Sequence, residues 1–98
     1  MSYIDEIADE IRRQIPAELI PEGDVAPLFR IYALLVLAKG ERVVLEDVHD
    51  GWAAWMSDQD PSHHALRPLA QLPAEAQRSE LPYLDAIRTV ARERNAVR

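Results

Sequence analysis

A chain of 98 residues is long enough for one domain and too short for two, and with 48% apolar and 29% charged residues it has the composition of a chain that folds. The absence of cysteine excludes a disulfide framework and a thiolate metal site, and it fits a reducing cytoplasm. The net charge of −6 is unevenly carried: residues 1–60 hold 13 acids against 5 bases, and residues 61–98 hold 4 acids against 6 bases.

Most of the chain therefore repels phosphate backbones, and nucleic acid is not an expected partner. The one candidate basic face is the last helix, with Arg88, Arg92, Arg94 and Arg98. Ile4, Ile7 and Ile11 are interrupted by Asp5, Glu6, Asp9 and Glu10, so the start does not read as an export signal. The longest apolar run, Ile31 to Ala38, is eight residues between Arg30 and Lys39. A membrane span needs about 20, so no membrane association is expected.

Ser2 is placed to cap a first helix, with Asp5 at the capping-box position. Ile4, Ile7, Ala8, Ile11 and Ile15 then recur at helical spacing, and Pro16 ends the segment. From Pro16 to Gly23 two prolines and a glycine mark a connection that Leu19 and Ile20 can anchor. Asp24 is the next good cap, Pro27 is tolerated in a first turn, and Gly40 supplies a stop. The second helix between them carries Phe29, Ile31, Tyr32, Leu34, Leu35, Val36 and Leu37, which leaves almost no polar face. Such a helix is expected to be covered on most sides, by its own chain or by a second copy.

The third helix is expected from about Glu46 to Ser57, with Val48, Trp52, Trp55 and Met56 facing inward and Gly51 weakening it slightly. A polar, proline-containing stretch follows, with Leu66, Leu69 and Leu72 as pins and one helical turn after Pro73. The fourth helix begins around Pro82 and sets Leu84, Ile87, Val90 and Ala91 on one side. No hairpin signal or repeat is present. The fold class is all-α: a compact four-helix domain, residues 1–98, with a long ordered loop between the third and fourth helices.

The sequence carries no catalytic motif, and no enzyme activity, cofactor or metal is expected. His63 and His64 are adjacent and so ordinarily point apart, and zinc at His49 would need Asp47 or Asp50 brought to it by the fold. His49 reads as a surface residue or one bonded to a loop carbonyl, and His63 or His64 as a cap on the turn after Pro61. Nucleophilic chemistry would need Ser2, Ser57, Ser62, Ser79 or Thr89 beside a histidine oriented by a carboxylate. No glycine-flanked serine elbow and no glycine-rich phosphate loop occur. Trp52 and Trp55 lie three apart and share a helix face, where burial is the default; an exposed ring would be the centre of an interface.

The runs Leu28-Phe-Arg-Ile-Tyr-Ala-Leu-Leu-Val-Leu-Ala-Lys-Gly, Glu46-Asp-Val-His-Asp-Gly-Trp-Ala-Ala-Trp-Met, His64-Ala-Leu-Arg-Pro, Leu72-Pro and Pro82-Tyr-Leu-Asp-Ala-Ile resemble a family of small uncharacterised proteins from actinobacteria and their phages. That resemblance spans nearly the whole chain and implies a setting rather than an activity. The later half is more loosely similar to the ryanodine-receptor-type domain, through His64, Leu66, Pro68, Leu72 and Gln77. Ala65 and Leu69 depart from that pattern, and its glycine-tryptophan-tyrosine-glycine loop is missing.

The leading expectation is a noncatalytic interaction protein, such as a phage accessory protein that binds a host protein or pairs with itself as a homodimer. The alternative is a small-ligand domain in which Trp52, Trp55, His64 and Arg67 hold a nucleotide-like anion.

Overall fold

The computed structural model describes residues 2–96, and among them no strand occurs. Four long helices carry the fold: α1 (Tyr3–Arg13), α2 (Ala26–Lys39), α3 (Leu45–Gln59) and α5 (Leu81–Ala96). The expected single turn after Pro73 is a short helix, α4 (Ala74–Arg78), and 3-10 turns occupy Ala17–Leu19, Gly40–Arg42 and Leu69–Gln71. The all-α, four-helix architecture read from periodicity is the one observed, with α5 as the expected fourth helix.

α1 starts as its sequence dictates. Ser2 Oγ accepts from the Asp5 N–H, and the Asp5 carboxylate accepts from the Ser2 N–H, both at 3.3 Å. Its stripe of Ile7, Ala8 and Ile11 is buried against α2 and α5. The start of α2 differs by one position: Val25, buried at 4% exposure, takes the cap, and Asp24 assists by accepting from the Ala26 N–H at 3.3 Å. Pulling Val25 into the core outweighs the better capping chemistry of its neighbour. Gly40 ends α2 at φ +58°, a conformation that L side chains rarely adopt.

One apolar core joins the four long helices. Leu28, Phe29, Tyr32, Ala33 and Val36 of α2 meet Ile7 and Ile11 of α1, Val48 and Trp55 of α3, and Tyr83, Leu84, Ile87 and Val90 of α5. Phe29 and Tyr32 meet edge to face, with ring centroids 5.7 Å apart. Within one chain the expected cover of α2 is incomplete. Leu34 is 56% exposed and Leu37 43% exposed, because α1, α3 and α5 cover only part of its circumference.

Gly51 also has a different role from the one expected. It lies where α3 crosses α2, and a Cβ there would come within 2.9 Å of Ile31 Cγ2. The glycine thus permits close helix approach, which its helix propensity alone would not reveal.

Candidate functional site

Polar contacts order the connection from Asp60 to Pro73 and tie it to α3 and α4. Ser62 donates to Asp60 Oδ1 through its N–H (3.1 Å) and hydroxyl (2.7 Å), and His63 Nδ1 accepts from the Ala65 N–H at 3.0 Å. His63 therefore supplies the turn cap expected after Pro61. Gln77 Nε2 donates to the carbonyls of Leu69 (3.1 Å) and Leu72 (3.0 Å). Leu66, Leu69 and Leu72 are only half-buried, so the leucines alone do not fix this segment.

At its centre stands His49, the one histidine, acid or base among the described residues that is buried outright, at 1% exposure. Reading it as a surface residue is overturned, whereas the loop-carbonyl bond is present: Nε2 lies 2.6 Å from the Arg67 carbonyl oxygen. Nδ1 lies 3.1 and 3.2 Å from the two Glu80 carboxyl oxygens. A carbonyl can only accept, so Nε2 carries a proton. Between Nδ1 and the carboxyl group one further proton must be shared. Burial pushes the Glu80 carboxyl above its ordinary 4.5, outweighing the opposite pull of the His49 ring; Asp50 adds to the upward shift.

Around this pair lies a half-open cleft of about 420 Å³, lined by Trp52 and His49 of α3, Tyr32 of α2, Tyr83 of α5, His63 of the connection, and Glu80, among others. Trp52 stacks on His49 (centroids 5.6 Å, planes 24° apart) and meets His63 edge-on at 5.1 Å. His63 in turn stacks on His64 at 4.6 Å. The adjacent histidines thus share one direction, contrary to the expected divergence, because the chain turns here instead of extending. Burial raises the phenols of Tyr32 and Tyr83 above their ordinary 10, so both stay neutral. The Tyr83 hydroxyl donates to the Leu19 carbonyl, closing the cleft against the first connection.

The four residues singled out in the sequence do not meet in one cavity. Trp52 lines the cleft and His64 extends its aromatic wall through His63. Trp55, at 4% exposure, belongs to the core, and its indole N–H donates to the Asp24 carbonyl at 3.2 Å. The side of Arg67 faces a broader, more open depression of about 630 Å³, shared with Glu46, Asp50, Ala53 and Ala54. Sequence reasoning missed Glu80, Tyr32 and Tyr83 as neighbours of Trp52. The one signal in the chain was the pairing of polar with aromatic residues at i and i+3, in His49/Trp52 and Glu80/Tyr83.

Among the described residues, the serine hydroxyls named in the sequence are held by nearby groups. The hydroxyls of Ser2, Ser57, Ser62 and Ser79 bond to the Asp5 carboxylate, the Ala54 carbonyl, Asp60 and the Ala76 carbonyl. Among the described residues, no group of three or more histidines and acids could hold a metal ion, and no helix is long and apolar enough to cross a membrane. On α5, Arg88 donates to the Val43 carbonyl at 2.9 Å and Arg92 pairs with Glu41 at 3.2 Å, so two arginines of the candidate basic face are engaged within the chain. Arg98 lies outside the described residues.

A family model covers residues 2–92, which takes in α1 and the whole cleft. The chain belongs to the family described as Domain of unknown function (DUF7701). This agrees with the resemblance to uncharacterised proteins. No curated protein and no solved structure matches the chain. The aromatic cleft and its His49–Glu80 pair lie inside the span that defines the family.

Proposed function

We propose that this protein is a noncatalytic binding module whose ligand occupies the cleft walled by Trp52, Tyr32, Tyr83 and His63. The observation that carries this reading is the commitment of both His49 ring nitrogens to protein partners, beside an aromatic wall that the protein itself leaves unfilled. A histidine held at both ends cannot take a proton from a substrate without breaking the wall, so the group suits shape-keeping better than turnover. The cleft's volume falls within the range of small-ligand sites, about 300 to 1,000 Å³. Trp52 carries the reading among the residues chosen from the sequence, and His64 extends it.

The test uses the two indole N–H signals of the nitrogen-15-labelled chain during a small-fragment screen. Fragments that enter the cleft move the Trp52 signal and spare Trp55, and Trp52→Ala abolishes their binding. If no fragment moves Trp52, the module reading fails.

A second reading, self-association, is favoured by the exposed Leu34 and Leu37 of α2. Sedimentation velocity at micromolar concentration tests it: a strict monomer that stays so on raising the concentration counts against a homodimer.

A further inference from the structure

Resting on the binding-module reading, we infer that the cleft takes a small organic cation, an ammonium, amidinium or guanidinium group set against Glu80, with a flat or apolar body against Trp52 and Tyr83. Charge complementarity is the first argument. The lining includes two acids, Glu18 and Glu80, and no lysine or arginine. The aromatic rings present π-electron density, which attracts cations most strongly where water is excluded. The Glu80 carboxylate is also incompletely used: it has about four acceptor positions, and its one hydrogen-bonding partner among the described residues is His49 Nδ1. With its side chain 14% exposed it still reaches the cleft.

An anion meets the opposite situation. Arg67, the cation nearest in sequence to the cleft's histidines, lines the other depression, and a phosphate at Glu80 would face a carboxylate without compensation.

The shared proton gives this site a signature. While it is present, Glu80 and His49 together are neutral; once it is lost they carry one negative charge, and a bound cation gains an unopposed partner. The groups that face the pair are Glu18 of the first connection, Tyr32 of α2, Asp50 of α3, His63 of the loop and Tyr83 of α5. Of these, the acids and the neutral phenols add no positive charge that would reverse the sign.

The experiment titrates the labelled chain with benzamidinium, neutral benzamide and benzoate, reading the Trp52 indole signal and calorimetric affinity. Benzamidinium is expected to bind, more tightly as the pH is raised and the Glu80 carboxyl, held above its ordinary 4.5 by burial, becomes ionised. Glu80→Gln is expected to weaken it about tenfold or more. Benzamide and benzoate are expected to bind far less well. Equal binding of benzamide, preference for benzoate, a falling affinity with pH, or no binding of benzamidinium overturns the inference. An arginine-bearing peptide binding where benzamidinium does not overturns the small-molecule assignment. The wild-type pH comparison and the benzamide control remain decisive if Glu80→Gln does not fold. Binding of benzamide or benzoate that moves Trp52 would sink the cation assignment while leaving the module reading intact; the fragment screen judges that reading separately.

Discussion

The α1–α2–α5 side of the molecule and the stretch from Asp60 to Glu80 are held by different forces. On the first side Ile7, Ile11, Leu28, Phe29 and Ile87 are at most 2% exposed, so apolar burial supplies the stability and its helical periodicity is written along each segment. On the second, no residue from Asp60 to Glu80 is fully buried, and order comes from the Asp60, Gln77 and His49 hydrogen bonds. Apolar burial is non-directional and tolerates adjustment. A polar clamp fails as a unit when one partner is removed, because the other is left buried and unpaired. The aromatic cleft lies on the clamped side, so its shape depends on these few bonds.

The largest expected effect strikes the apolar side. Phe29→Ala removes a ring that is 2% exposed and should cost about 3 to 5 kcal/mol, a large share of the stability of so small a domain. Urea titration should show the midpoint collapse with all helices melting together.

His49→Ala comes next, at about 2 to 4 kcal/mol, since it orphans both Glu80 and the Arg67 carbonyl. Its hydrogen-exchange pattern sharpens the contrast: protection should fall in residues 60–80 before it falls in α1 and α2. Equal loss in both regions would show that they open as one unit and would end the distinction.

Gly51→Ala should destabilise by about 1 kcal/mol, because the clash with Ile31 outweighs the helix propensity gained. A rise in Tm would mean that α3 can shift away from α2 freely.

The smallest effect is on pH dependence. Burial makes the Glu80 carboxyl of the folded chain keep its proton to higher pH than in the unfolded chain, where it is released near 4.5. The folded state therefore binds more protons over that interval, and this contribution to stability declines as pH rises through it. Asp5, Asp47 and Asp60 have the opposite sign: hydrogen bonds hold them below their ordinary 3.8, so their contribution is lost as pH falls below that value. Glu80→Gln should flatten the decline toward alkaline pH and leave the acid side unchanged, as thermal melts across pH would record.

Local signals account for the parts of this picture that were legible. The Ser2–Asp5 cap, the stripe of α1, Gly40 as a stop and the turn after Pro73 each depend on residues within a few positions of one another. The exposed Leu34 and Leu37 were not legible, because an all-apolar helix does not say how many neighbours cover it. Nor was the site, whose members lie far apart in sequence: His49 meets Glu80, Trp55 meets Asp24, and Tyr83 meets Leu19.

By itself the sequence determined that helices form, roughly where they begin and end, and which stripe of each turns inward, since periodicity and capping act over a turn or two. Only the tertiary structure decided that Trp52 faces a cleft while Trp55 fills the core, that Arg67 meets His49 through its carbonyl and lines a separate depression, and that the buried His49 bonds to Glu80. Those outcomes depend on how separate helices are packed, and hydrogen bonds and ring contacts between distant residues leave no periodic trace in the chain.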